Sequence, residues 1–226
     1  YNTTIQSQWV HTTDYFNGGS IRALAVNNIN LFTGTDDGVF RSTDNGLFWE
    51  PINNGIPERL TWDLTFSGNS LYACSDYIFR TTDMGVNWDT LLQLTGEVFY
   101  DCEVNGSAIF VGTNNSGIHR STDDGNSWIQ VNSGLTTNYI KALFVNGNTI
   151  FAGGFPGLFR STDNGENWVE LTNGLPSPAL NTTGFAKIGS NIFASFGGGV
   201  YFSTDNGDSW SSTALTQGLV NTIYAY

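Results

Sequence analysis

Between Ile140 and Thr172 the chain alternates apolar and polar positions in four short runs, IKALFV, NTIFAG, GLFRST and WVELT, separated by Asn-Gly or similar turn signals. A period of two bounded by turn residues predicts four short strands joined by hairpins. The pattern recurs along the chain, punctuated by five near-copies of one decapeptide: FRSTDNGLFW, FRTTDMGVNW, HRSTDDGNSW, FRSTDNGENW and YFSTDNGDSW. Their last residues, Trp49, Trp88, Trp128, Trp168 and Trp210, stand 39, 40, 40 and 42 residues apart. Four strands in a repeat of roughly 40 residues predict the blades of a β-propeller, because one four-stranded sheet cannot bury both faces and must stack on its neighbours.

The predicted fold class is all-β, one propeller domain over residues 1–226, with blades at about 20–53, 59–92, 97–132, 139–172 and 179–213. Trp9 stands 40 residues before Trp49, so residues 1–13 read as an outer remnant of a further blade and residues 218–226 as an inner remnant. The ends are expected either to meet in a partial sixth blade or to belong to a longer propeller within a larger protein. A second punctuation, NNGIP, NSGLT, TNGLP and TQGLV, follows four of the fourth strands. It is expected to carry the chain from the outside of one blade to the inside of the next.

The repeated S/T-x-D-x-G-x-x-W unit carries a hydroxyl, a carboxylate and an indole, which suggests chemistry; its recurrence in every blade argues instead for a turn. Gly supplies positive φ, the acid (Asp44, Asp83, Asp123, Asp163 or Asp205) accepts turn N–H groups, the hydroxyl adds another bond, and Trp packs over the turn and against the next sheet. A calcium loop does not fit, since Gly occupies a position where an oxygen ligand is required. The two cysteines, Cys74 and Cys102, read either as a pair or as small buried fillers. Neither they nor His11 and His119 have metal-ligand spacing, so no metal or cofactor is expected.

Charge narrows the partners. Lys and Arg total 8 against 20 Asp and Glu, a net charge of -12, which opposes nucleic acid and anionic lipid surfaces. No apolar run approaches the roughly 18 residues of a membrane span, so no membrane insertion is expected. The acidic, Asn-rich and lysine-poor composition suits a secreted or cell-surface protein.

The repeated unit resembles the Asp box of BNR-repeat propellers, a superfamily that includes sialidases, xyloglucanase-like glycosidases, sortilin-type receptors and photosystem assembly factors. The resemblance implies the propeller fold and boxes at the blade periphery, away from ligand sites. A sialidase would need three arginines on one carboxylate. Arg41, Arg80, Arg120 and Arg160 share one repeat position before the box and read as scaffold, which leaves only Arg22 and Arg59. A xyloglucanase-like glycoside hydrolase would need two facing carboxylates. The third column of the first strands reads Ala23, Asp63, Asp101, Ala142, Gly184 and Thr222, so two adjacent blades place acids where the others are uncharged. Asp63 and Asp101 are thus the alternative catalytic pair, or else cap backbone groups; in that family the two acids come from separate propellers, and only one is present.

Ligands of propellers usually bind where strand 4–1 and strand 2–3 loops surround the channel mouth. The second column of the first strands reads Arg22, Trp62, Tyr100, Lys141, Thr183 and Asn221, and the loops would add Asp36, Asp37, Tyr77, Phe99, Tyr139, Phe155 and Phe196. Aromatic faces beside hydrogen-bonding groups suit sugar rings or a protein anchor residue. The expectation is a non-catalytic module whose partner is a glycan or protein ligand, bound by Arg22, Trp62, Tyr100, Lys141, Tyr139 and Phe155. A structural or assembly subunit is the remaining alternative.

Overall fold

The computed structural model describes residues 19–57, 60–176, 181–215 and 223. The remnants around Trp9 and NTIYAY, apart from Ile223, lie outside the described residues, as do His11, Arg59, Asn221 and Thr222. Among the described residues, twenty strands form five four-stranded antiparallel sheets in which sequence order is spatial order, and no helix occurs. The chain is a five-bladed β-propeller. First strands run Ile21–Asn27, Asp63–Ser67, Phe99–Asn105, Ile140–Asn146 and Thr182–Ile188. Four blades end in two-residue fourth strands; blade 2 ends in a longer one, Asp89–Gln93.

The core lies between blades. Second strands project one large ring toward the following blade, and Phe32, Phe110 and Phe151 are completely buried there, Tyr72 nearly so. Phe32 meets Phe66 of blade 2 edge-on at 5.3 Å, and Phe151 meets Phe185 of blade 5 at 6.2 Å. Burying such a ring contributes about 1.5–3 kcal/mol, so each seam is held mainly by apolar contact.

Every repeated turn is closed by its own side chains. In blade 4, Ser161 Oγ donates to Asp163 Oδ1 (2.8 Å) and accepts Gly165 N–H (2.8 Å), while Asp163 Oδ1 accepts Asn167 N–H (2.9 Å). Blades 1, 2, 3 and 5 repeat these bonds. The residue after each acid is left-handed, from φ 57 at Asn206 to φ 61 at Asn45. Hydrogen bonding holds these exposed carboxylates low: Asp83, Asp123, Asp163 and Asp205 fall to about 2.

The indoles turn the other way from the expectation. Trp88 Nε1 donates to Ile52 O at 2.7 Å and Trp168 Nε1 to Val131 O at 2.8 Å, so each indole leans on the preceding blade. The backbone N–H groups of Trp88, Trp168 and Trp210 donate to Asn54, Ser133 and Asn173, which lie in the NNG, NSG and TNG punctuations. That contact explains the glycine: Gly134 sits at φ +90, and a Cβ there would collide with the Trp168 carbonyl. Trp128 follows the longer-ended blade 2 and bonds within its own turn, to Gly125 O at 3.1 Å.

The scaffold arginines point forward. Arg41, Arg80, Arg120 and Arg160 each donate to the carbonyl of the left-handed turn residue one blade on, namely Met84, Asp124, Asn164 and Asn206. Carboxylates complete the clasps, with Glu166 at 2.7 Å from Arg120 and Asp208 at 2.7 Å from Arg160. Phe202 holds the equivalent position in blade 5.

Candidate functional site

The first strands open with a bulge. Register skips Arg22, Tyr100, Lys141 and Thr183, while Trp62 immediately precedes its strand and donates its N–H to Cys74 O at 2.7 Å. A bulge re-aims the extra side chain, which here takes one column out of the alternation of its strands. Four of the six expected ligand residues then touch in sequence across blades 1 to 4. The Arg22 guanidinium lies 4.4 Å over Trp62, Trp62 meets Tyr100 edge-on at 5.3 Å, and Tyr100 meets Tyr139 at 5.4 Å.

Electrostatics fixes the ends of this row. Asp36 accepts Ser20 N–H (3.0 Å) and Arg22 Nε (2.8 Å), which hold its carboxyl below the usual range and hold the guanidinium over the indole. Burial, together with a hydrogen bond to the Tyr139 hydroxyl, pushes Tyr100 up to about 12, so it remains a neutral phenol at physiological pH. Lys141 stands half-buried in the bulge of blade 4 with no hydrogen bond or ion pair among the described residues. Phe155 is exposed, and its backbone is tied to Tyr139 O and Thr137 Oγ1. Two loop aromatics expected at the mouth are core instead: Phe99 is 0% and Phe196 2% exposed, each at a strand end where its ring turns into a blade seam.

One feature of this face is only faintly signalled in the sequence. Blade 2 replaces the NG punctuation with LTGEV, and its long fourth strand runs into a cavity of about 310 Å³ between Asp76–Tyr77 and Gln93–Val98. The cavity belongs to the strand 2–3 and strand 4–1 loops of blade 2, on the side where Trp62 and Tyr100 begin their strands. The weakened repeat at LTGEV was the only signal.

Asp63 and Asp101 do come together, close enough for each carboxyl to shift the other. Each also spans to the next blade: Asp63 Oδ2 accepts Cys102 N–H at 3.4 Å and Asp101 Oδ2 accepts Leu143 N–H at 2.6 Å. Burial raises both, Asp101 the further because Asp63 and Glu103 add negative charge beside it. Glu103, on the same strand, rises to about 8, chiefly by desolvation and secondly by Asp63. All three are half-buried side chains whose charges act on one another, with no group of ligating residues fit for a metal among the described residues.

No family model and no curated protein matches the chain. Solved structures do. The extracellular domain of a one-component system from B. thetaiotaomicron is 14% identical over 97% of this chain and 32% of its own, with a TM-score of 0.79. The GH74 xyloglucanase from Xanthomonas campestris is 16% identical over 89% and 39%, with a TM-score of 0.68. YCF48 bound to D1 peptide is 19% identical over 86% and 67%, with a TM-score of 0.66. The chain therefore spans about a third of the length of the first two, and at these identities what it shares with all three is the propeller fold.

Proposed function

We propose that the chain is a non-catalytic recognition module that takes a glycan or a protein segment across the channel mouth. The observation that carries this reading is the continuous row Arg22–Trp62–Tyr100–Tyr139, contributed by four successive blades at one end of the channel. Rigid aromatic side chains beside cations and hydroxyls bind at low entropic cost, and the blades hold them in place. A secreted or cell-surface location goes with this reading, supported by the similar extracellular domain from B. thetaiotaomicron, solved twice.

The glycoside hydrolase reading draws less support from the same residues. A retaining pair needs its carboxyls about 5 Å apart and an inverting pair about 6.5–9.5 Å, with the sugar or a water between them. Asp63 and Asp101 act on each other, and each accepts a backbone N–H of the next blade, so both carboxyls are engaged in holding the seam.

The test is binding of the whole chain to an immobilised glycan panel and a peptide panel, with Trp62→Ala and Tyr100→Ala alongside. Either variant should weaken the ligand found by at least tenfold without product release. Undiminished binding in both variants overturns the reading, as does polysaccharide cleavage that disappears in Asp63→Asn or Asp101→Asn.

A further inference from the structure

Two departures from the repeat meet at a single seam. Opposite Ala23, Asp63, Asp101, Ala142 and Gly184, the second strands carry Gly34, Cys74, Gly112, Gly153 and Ser195. Glycine recurs because the next blade presses there. A Cβ would come within 2.8 Å of Thr61 at Gly34, 2.8 Å of Ile140 at Gly112 and 2.5 Å of Thr182 at Gly153. The neighbouring first-strand column reads Leu24, Leu64, Cys102, Leu143 and Phe185. Blade 2 thus adds a side chain where three blades have none, and blade 3 shortens its own from the bulk found in every other blade.

The two changes compensate each other in volume, and they bring two sulfurs together. Cys74 and Cys102 are 0% and 1% exposed, sit in one core cluster as free thiols, and each shifts the titration of the other. Asp63 fixes the arrangement, lying directly across the strands from Cys74 while its carboxyl holds the N–H of Cys102. Volume alone would accept alanine and valine. Two thiols in contact add only the capacity to bond.

We propose that Cys74 and Cys102 are a disulfide-forming pair that covalently joins blades 2 and 3 when the chain meets a low-molecular-weight disulfide such as oxidised glutathione. One cysteine thiolate attacks the small disulfide, forming a mixed disulfide and releasing one small thiol. The second cysteine thiolate displaces the other small thiol as the Cys74–Cys102 bond forms. The protein loses two protons and two electrons, and the oxidant is reduced to two thiols. Burial raises both protein thiols, so exchange belongs to the folding chain or to a transient opening of the seam. The bond would lock the seam that carries Trp62 on one side and Tyr100 on the other.

The experiment refolds the reduced, denatured chain in a glutathione redox buffer, traps free thiols with N-ethylmaleimide and weighs the denatured product. The expected product is monomeric, takes up no maleimide and is lighter than the reduced chain by two hydrogens. Its melting temperature should lie about 6–12 °C above that of the dithiothreitol-treated protein. Two maleimide adducts on the refolded chain, stable glutathione adducts or cross-linked dimers would each overturn the proposal. Cys102→Ser should retain one trapped thiol; if that variant does not fold, the wild-type mass still decides.

Discussion

Replacing Asp101 separates its shape from its charge. Burial beside Asp63 and Glu103 holds this carboxyl toward its neutral form, in which it accepts Leu143 N–H at 2.6 Å. Asparagine has the same outline, an N–H to donate and an oxygen to accept, so Asp101→Asn should change stability by less than about 0.5 kcal/mol near pH 5. Alanine leaves the Leu143 N–H without its acceptor, a loss of about 1–3 kcal/mol that lowers the melting temperature by roughly 2–4 °C for each kcal/mol. The pH dependence follows from the raised carboxyls. A folded pKa above the ordinary 3.8 gives stability that is full below about pH 4 and is lost as pH rises through the folded value. Urea midpoints read by tryptophan fluorescence should therefore fall as pH rises from about 5 to about 8, the value to which Glu103 is raised, in the wild type, and fall less in Asp101→Asn. Equal losses in the asparagine and alanine variants, or a wild-type midpoint that climbs over that span, would refute the reasoning.

Glu103, raised from 4.5 to about 8, contributes to the same fall, so Glu103→Gln should flatten the urea midpoint between those pH values. The box acids carry the opposite sign: Asp83, Asp123, Asp163 and Asp205 are lowered to about 2, so their stabilisation is complete above about pH 4 and disappears only toward pH 2, which near-ultraviolet dichroism of the packed indoles will report. Gly134→Ala should cost more than about 2 kcal/mol in chemical denaturation, since it adds a clash with the Trp168 carbonyl to the strain of φ +90, whereas Gly106→Ala, with nothing within 4 Å, should cost about 1 kcal/mol. Arg120→Ala should destabilise by about 1–3 kcal/mol in the same assay and by more than Arg160→Ala, because the Arg120 side chain is 7% exposed and that of Arg160 20%.

The blades were legible because their turns are written in local chemistry. Ser42, Asp44 and Gly46 satisfy one another within five residues, so the letters report the geometry directly. Contacts between blades are not written that way. Arg41 could be recognised as scaffold from its repeat position, yet its partner Met84 lies 43 residues on. The leaning of Trp88 on Ile52, across 36 residues, was equally hidden, and the indole was expected to face the other way. At the mouth, the column of Arg22, Trp62 and Tyr100 was readable from alignment, whereas the bulges that take it out of the strand alternation, and the loss of Phe99 and Phe196 to the core, depend on register and packing. Asp63 and Asp101 stood out as departures, but only the seam shows that they act on each other and bond to the next strand.

The arginine clasps all point toward the C-terminus, and this gives the propeller a direction in time. As the chain leaves the ribosome, blade 3 can form its hairpins while the guanidinium of Arg120 is still open, since Asn164 and Glu166 follow 44 and 46 residues later. Arg160 likewise waits for Asn206 and Asp208. The clasps of blades 1 to 4 are thus completed only by the emergence of a successor, which favours assembly from the N-terminal blade onward, although Arg41 also holds Glu50 of its own blade. A chain stalled between two tryptophans would carry an open arginine as the mark of how far it had folded.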